Sequence, residues 1–303
     1  MKVFILLLII CLIPVAYAND GYSAIGTGGI EFKHTNDIQL RSEILTISMD
    51  NISVKYQFYN DSAGPIHATV SFPLPKITCG YWGKNASIDD FKAIVDGKAV
   101  TLKKEEKAFA YPNAKDFGKD ITAQVKAAGL PIDCRKVNAD KDLFKKAQKA
   151  KLADDFHGTD AEDLHYATQI IYYWEQDFPS KTPISIEHSY KPMTGEDAGE
   201  VAPFYLNMAP HWDRDIHVRW IHNNSMDYQV SDIKGDTIVQ YILTTAKTWK
   251  YGVADFHLIL KRKSPTVFVG STLGPLTKVD DNTLEFRAKD FVPDRDLTVI
   301  FSK

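Results

Sequence analysis

Apolar side chains recur at every second position along residues 52–58, which is the spacing of a β-strand with one buried face. Runs of the same kind cover residues 44–49 and 66–72, and clusters of turn-forming residues separate the three runs. Pro73-Leu74-Pro75 ends the last run, because proline cannot donate a ladder hydrogen bond. The pattern predicts three strands joined as an antiparallel meander.

The middle of the chain changes from strand patterns to helix patterns. Residues 91–102 predict a hairpin around Asp96-Gly97. Residues 120–128 carry apolar side chains at helical spacing and stop at a Gly-Leu-Pro sequence. Residues 140–154, rich in lysine and alanine, form a second helical pattern with one apolar face. We expect this helix to cover an edge or an end of a sheet.

Short strand patterns return after residue 168. The first two, residues 168–178 and 183–190, predict a pair joined by the turn between them. Further strands are predicted at residues 216–221, 228–230, 237–243, 255–261, 284–288 and 297–301. Short strands at this spacing are typical of a β-sandwich.

Together these elements predict a mainly β protein with a helical insertion, built as two antiparallel β-sandwich-like halves. We place the first half at residues 19–160 and the second at residues 161–303. No linker or repeat marks the boundary, so the alternative is that both halves share one hydrophobic core.

The first 18 residues have the pattern of a cleavable signal peptide. Lys2 precedes an apolar run that ends at Val15, and Ala16-Tyr17-Ala18 offers the small residues that signal peptidase reads. We predict cleavage after Ala18 and a periplasmic or secreted protein. An uncleaved anchor would need a longer apolar run, of about 20 residues. Lipidation at Cys11 is the other alternative, but the residue before it is not small.

Charge argues against nucleic acid as a partner. The chain has 36 basic and 39 acidic residues, and both signs are spread along it. A nucleic-acid surface needs a concentrated basic field. No later apolar stretch approaches the length of a membrane span, so no transmembrane segment is expected after cleavage.

Removal of the leader would leave two cysteines, Cys79 and Cys134. An even pair in an oxidising compartment predicts a disulfide bond. The alternative is two separate buried thiols. Two cysteines alone are too few for a zinc site.

The richest group of candidate metal ligands is the sequence HWDRDIHVRWIH, residues 211–222. It contains His211, His217 and His222 with Asp213 and Asp215. The histidines lack the spacing of a helical zinc site, and the aspartates lack the glycine and the distal glutamate of a calcium loop. We predict no metal site and interpret these residues as parts of strands and a charged turn.

Catalytic and cofactor motifs are missing from the sequence. There is no GxSxG, and the glycines at residues 26–29 lack the lysine of a phosphate loop. The acidic run at residues 154–163 is interpreted as a helix cap, with Thr159 and Glu162 as a capping box. The catalytic residues, if any, are therefore unknown, and no cofactor is predicted.

Aromatic residues are the remaining candidates for a binding surface. Tyrosine and tryptophan combine a large apolar face with a polar tip, which suits exposed recognition. Trp82 and Trp212 are the best placed, because turn residues surround both. The alternative is that they belong to the core and edges of a sandwich.

Three separated segments resemble a bacterial exported family known as domain of unknown function 4424. They are EILTISMDNISVKYQFYNDSAGPIHATVSFPLP, YYWEQDFPSKTPISIEHSYKPMTG and VQYILTTAKTWKYGVADFHLILKRKSP, the last followed by DFVPDRDLTVIF near the end of the chain. The similarity covers essentially the whole chain after the leader. It implies a bacterial envelope or secreted location and implies no activity.

The first half also resembles, more weakly, the vault/inter-alpha-trypsin type of domain. The similarity rests on residues 54–75, on FKAIVDGKAV and on EEKAFAYPNAKDFG. That resemblance implies a β-sandwich of the kind found beside adhesive domains. No adhesive domain with a DxSxS motif follows in this chain.

Two functions from different classes remain. The leading hypothesis is a non-enzymatic binding or assembly module with a protein partner in the envelope or outside the cell. The alternative is an exported hydrolase, its site assembled from distant histidine and acidic residues. A deep cleft with convergent histidine and carboxylate groups would favour the hydrolase.

Overall fold

The computed structural model describes most of the chain after the predicted leader. It covers residues 20–26, 29–79, 90–110, 118–155, 162–192, 194–196, 211–213, 218–223, 226–231 and 237–302. Strands dominate and the helices are short, so the prediction of a mainly β fold with few helices is confirmed. Strands and helices are numbered along the chain.

The first layer is one eight-stranded sheet. Its strands, in spatial order, are β21 (Thr277–Asp280), β22 (Thr283–Phe291), β19 (Lys250–Lys261), β3 (Ile38–Ile47), β4 (Ile52–Asn60), β13 (Pro183–Tyr190), β7 (Lys92–Val95) and β8 (Lys98–Ala99). Among the described strands of this sheet, β19 and β3 are the one parallel pair. Buried positions alternate with more exposed ones along β4 and β13, so the sheet has an apolar inner face and a polar outer face.

The second layer holds two sheets. The six-stranded sheet contains β2 (Gly29–Phe32), β1 (Gly21–Gly26), β5 (Ile66–Pro73), β12 (Tyr166–Phe178), β6 (Ile77–Thr78) and β9 (Lys103–Ala110). The five-stranded sheet contains β14 (Thr194–Glu196), β18 (Thr237–Tyr241), β23 (Leu297–Ser302), β20 (Phe268–Ser271) and β15 (His211–Trp212).

Smaller elements complete the fold. They are the ribbons β10 (Ala153–Asp155) with β11 (Glu162–Leu164) and β16 (Val218–Asn223) with β17 (Met226–Ser231), the helices α1 (Thr122–Ala127), α2 (Cys134–Asn138) and α3 (Lys141–Lys149), and the 3-10 turn Thr244–Thr248. In the described part of the chain, no helix is long and apolar enough to cross a membrane.

Aromatic side chains join the two layers. Tyr56 and Phe58 lie two residues apart on β4 and point to the same face. The ring of Phe58 lies 6.0 Å from the ring of Phe178 on β12, and the hydroxyl of Tyr56 lies 2.8 Å from that of Tyr241 on β18. Both sheets of the second layer therefore pack against the same face of the eight-stranded sheet.

The predicted division at residue 160 does not describe the sheets. β5, from before that residue, pairs with β12, and likewise β4 pairs with β13 and β3 with β19. The buried apolar residues form one continuous cluster. Local patterns identify strands but not their hydrogen-bond partners, which here are far apart in the sequence. The alternative of one core shared by both halves therefore describes the sheets better than a division at residue 160.

Two connections predicted as hairpins instead cross between the layers. The predicted meander is wrong at its second turn, because β4 lies in the first layer and β5 in the second. The predicted pairing of residues 168–178 with residues 183–190 is wrong for the same reason, since β12 and β13 lie in different layers. Each turn sequence redirects the chain across the core.

Asn60 holds these two crossings together at one end of the sandwich. Its side chain is fully buried, and its Nδ2 donates to the carbonyl oxygens of Gly64 and Phe178, both at 2.8 Å. Its Oδ1 accepts from the backbone N–H and the hydroxyl of Ser62, at 2.9 and 2.7 Å. Ser180 completes the contact by donating its hydroxyl to the carbonyl of Ser62 at 2.6 Å.

A β-bulge places an acidic residue inside the core. The register of β3 shifts between Leu40 and Ser42, so the following residue, Glu43, points inward and is 0% exposed. The hydroxyl of Tyr241 lies 3.5 Å from Glu43 Oε1. Beside the bulge, β19 is also irregular, and Gly252 has a φ of 73°.

The helical predictions are partly correct. Both predicted helices exist, but the second ends at Lys149 rather than at residue 154, and the sequence did not predict α2. Asp140 caps α3 by accepting from two backbone N–H groups at 2.9 and 3.2 Å. The predicted capping box is wrong, because Glu162 begins a strand, β11, that pairs with β10. The hairpin around Asp96-Gly97 is confirmed, with φ values of 46° and 78°.

Candidate functional site

The predicted cysteine pair forms a disulfide bond. The sulfurs of Cys79 and Cys134 are 2.04 Å apart, and both residues are buried. The bond joins the segment after β6 to the first residue of α2. The backbone N–H of Cys134 also donates to Thr168 Oγ1 on β12 at 2.9 Å. Helix α2 is thereby fixed to the second layer.

The two candidate binding aromatics stay predictions. Trp82 lies outside the described residues. The backbone of Trp212 lies in β15 and pairs with Gly270, and its side chain is outside the described part. His217 is likewise outside it.

Asp213 serves a structural role rather than holding a cation. Its carboxylate pairs with the guanidinium of Arg262, and both side chains are 3% exposed. The other carboxylate oxygen accepts from the backbone N–H of Val269 at 3.0 Å. Arg262 also donates to the carbonyls of Val267 and Asp281 at 2.9 and 2.8 Å. Among the described residues no group of three or more histidine, cysteine or acidic side chains could hold a metal.

An acid–histidine pair lies in the core. Asp20 Oδ1 is 2.9 Å from His188 Nε2, and both side chains are fully buried. Four aromatic rings surround the imidazole, those of Tyr56, Phe72, Phe91 and Trp174. Burial raises the pKa of Asp20 above its ordinary value, and His188 opposes that shift. The surroundings of this pair indicate a packed interior rather than a reaction site.

We expect Asp20→Asn to change how stability depends on pH. Because the pKa of Asp20 is raised in the folded state, folding holds its proton more tightly than the unfolded chain does. Its contribution to stability is therefore largest in acid and falls as pH rises from about 4, the unfolded value. The side-chain amide of asparagine does not titrate, so the stability of Asp20→Asn should lack this dependence on pH.

The measurement is urea unfolding of both proteins between pH 4 and pH 7. As pH rises, the free energy of unfolding of Asp20→Asn should increase relative to that of the parent. A difference that is the same at every pH would show that Asp20 does not titrate in this way.

One cleft in the second layer has the features of a binding site. It has a volume of about 350 Å³ and lies between the β6 segment and the neighbouring ends of β18 and β23. Its polar lining consists of Lys76, Thr78, Gln240, Asp296 and Thr298. Its apolar lining consists of Pro75, Ile242 and Leu297. We refer to it as the Lys76–Asp296 cleft.

Lys76 provides the positive charge of the cleft. Its ammonium lies 4.0 Å from the centre of the Phe109 ring and donates no hydrogen bond to any residue that the structure describes. Burial lowers the pKa of Lys76, while the carboxylates of Asp120 and Asp296 act in the opposite direction. A ligand anion would relieve this desolvated charge.

Asp296 provides the negative charge. Its Oδ1 accepts from the hydroxyl of Thr244 at 2.8 Å and from the backbone N–H groups of Leu243 and Thr244 at 3.2 Å. Burial raises the pKa of Asp296, and the hydrogen bonds from Thr244 and Leu243 counteract this in part. Its Oδ2 accepts no hydrogen bond from the described residues. One oxygen is thus anchored, and the described residues leave the other without a donor.

Sequence reasoning did not identify these two residues. Lys76 carried a signal, because it is a single charge between Leu74 and Ile77, both of which are buried. Asp296 lies within DFVPDRDLTVIF, one of the segments that carry the family resemblance. Only the sheet topology brings the two side chains to one cleft.

Comparison with known families identifies the family to which the chain belongs. The sequence model of the family described as domain of unknown function (DUF4424) matches residues 18–300. The chain belongs to this family. The resemblance inferred from the three segments is therefore confirmed, and DUF4424 carries no assigned activity. The similarity to the vault/inter-alpha-trypsin type of domain stays a prediction.

Solved structures with distant similarity exist. One is a putative nutrient binding protein from Legionella pneumophila, with 14% identity, a TM-score of 0.45 and coverage of 88% of this chain and 68% of that one. Another is an M1 zinc metallopeptidase from Deinococcus radiodurans, with 8% identity and a TM-score of 0.33. The match includes 89% of this DUF4424 chain and 44% of the metallopeptidase. None of the curated proteins compared with it matches.

Proposed function

We propose that the protein is an exported, non-enzymatic binding module whose ligand site is the Lys76–Asp296 cleft. The observation that carries the proposal is the cleft itself. It combines a partly buried cation, a carboxylate anchored through one oxygen and several apolar side chains. Ligand sites are typically concave, largely apolar and furnished with a few convergent polar groups.

Export is the first part of the proposal. The leader pattern of residues 1–18 supports it, and so does the bond between Cys79 and Cys134, because disulfides persist in oxidising compartments. The periplasm and the external medium both satisfy this chemistry. An envelope protein partner stays a prediction beside the ligand site.

Binding is favoured over hydrolysis by the chemistry of the cleft. Among the described residues that line it there is neither histidine nor cysteine, and Asp296 supplies their single carboxylate. A hydrolytic site needs a nucleophile with an adjacent base, or two acidic groups in matched positions. The buried His188 does not line this cleft.

Native mass spectrometry tests the proposal. The purified mature protein is incubated with a small-molecule extract of the source cells and then analysed intact. We expect a discrete added mass on the parent protein. Gln240→Trp should abolish it, because the indole ring would fill the mouth of the cleft from β18.

Lys92→Trp is the matched control, since Lys92 is exposed on β7 in the other layer. This control should bind as the parent does. Equal binding by Gln240→Trp and the parent would place the ligand elsewhere, and the absence of any added mass would contradict the proposed function.

A further inference from the structure

We infer that the ligand of the Lys76–Asp296 cleft is a small zwitterion that carries a carboxylate and a primary amine, the chemistry of a free amino acid. The inference rests on the proposed function and names its ligand class. It follows from the two opposite charges of the lining and from the size of the space.

The two charges do not satisfy each other. Lys76 and Asp296 line the same cleft, yet they form no ion pair. Lys76 lies over the Phe109 ring and Asp296 accepts from Leu243 and Thr244, but neither forms an ion pair with a residue that the structure describes. A partly desolvated charge without a counter-charge is costly. A ligand that brings a carboxylate to Lys76 and an ammonium to Asp296 compensates both charges.

A ligand with one charge would satisfy only half of the site. An anion bound to Lys76 would lie in the same cleft as the Asp296 carboxylate, and a cation bound to Asp296 would share the cleft with the Lys76 ammonium. Like charges in one cleft oppose binding. The lining therefore favours a molecule that carries both signs.

The geometry of Asp296 supports an amine as its ligand group. Three donors from Leu243 and Thr244 all reach Oδ1. They fix the carboxylate in one orientation and leave Oδ2 to accept from a further N–H donor. Charge-assisted hydrogen bonds to such a carboxylate are stronger than neutral ones.

The remaining lining sets the size and the polarity of the ligand. A volume of about 350 Å³ is near the lower end of the usual range for ligand sites, about 300–1,000 Å³. Ile242 and Leu297 offer an apolar surface for a side chain, while Thr78 and Thr298 offer hydroxyl groups. A single amino acid suits this space better than a long peptide.

Thermal unfolding with single L-amino acids, followed by calorimetry, tests the inference. At least one free amino acid should raise the melting temperature of the parent protein. Its N-acetyl derivative lacks the positive charge and its amide lacks the negative charge. Each derivative should bind at least about tenfold more weakly, the loss expected for one charged hydrogen bond.

Two variants separate the roles of the charges. Lys76→Met should weaken the free amino acid about tenfold or more, and it should not weaken the amide, whose positive charge no longer shares the cleft with the Lys76 ammonium. Asp296→Asn, which keeps the Oδ1 acceptor, should also weaken the free amino acid about tenfold or more, and it should not weaken the N-acetyl derivative, whose negative charge no longer shares the cleft with a carboxylate. Lys92→Met is the control on the opposite layer and should alter neither.

Equal binding of the free amino acid and its derivatives would overturn the inference. So would a failure of all amino acids to bind while the cell extract still yields an added mass that Gln240→Trp abolishes. In that case the binding function would stand with another ligand class. If neither experiment detects a ligand, the proposed function and this inference both fall.

Discussion

Asn60→Asp is expected to lower the free energy of unfolding by about 3–5 kcal/mol, the typical cost of leaving an uncompensated charge in a protein interior. At neutral pH the new carboxylate has no N–H group, so the side chain can no longer donate a hydrogen bond. The carbonyl oxygens of Gly64 and Phe178 would lose their 2.8 Å donors and face a negative charge. Both chain crossings between the layers would be weakened together.

Urea unfolding of the purified variant measures this effect. Its midpoint should fall, with a slope close to that of the parent, because the surface exposed on unfolding is the same. Asn51→Asp is the matched control, since Asn51 is exposed in the turn between β3 and β4. It should change stability by less than about 0.5 kcal/mol. Equal effects of the two substitutions would contradict the role given to Asn60.

Removal of the disulfide has the second large expected effect. The cysteines are 55 residues apart, and closing a loop of that length restricts the unfolded chain by about 4 kcal/mol. Cys79→Ser combined with Cys134→Ser should lower the free energy of unfolding by about this amount. The bond also fixes the segment that carries Lys76, so the cleft should lose affinity as well.

Reduction of the parent protein provides the matched comparison. The reduced parent and the double serine variant should unfold at the same urea concentration, and the oxidised parent should unfold at a higher one. A loss of less than about 1 kcal/mol would show that the unfolded chain gains little freedom from the missing bond.

The sequence predicted where most strands lie but not how they pair. β4 and β13 were recognisable because their buried residues alternate with exposed ones. The direction of the chain after Asn60 and after Phe178 was not recognisable. A turn that closes a hairpin and a turn that crosses the core use the same small and polar residues, and both keep apolar side chains facing inward.

Of the site residues, the sequence predicted those that a local pattern marks and missed those that long-range pairing brings together. The disulfide was predictable, because removal of the leader would leave only Cys79 and Cys134 to pair. The inward position of Glu43 depends on a bulge in β3, which a strict alternation of residues does not predict. Lys76 and Asp296 lie far apart in the sequence, and no local motif connects them. Long-range sheet order, rather than local pattern, creates the cleft.

Lysine footprinting tests the central claim, ligand binding in the Lys76–Asp296 cleft, most directly. The dialysed mature protein is reductively methylated with and without the small-molecule extract, and each lysine is followed by peptide mass spectrometry. A lysine with a lowered pKa is reactive when it is accessible. The account predicts that the extract protects Lys76 and leaves the exposed Lys92 unchanged. Methylation of Lys76 at the same rate with and without the extract would contradict it.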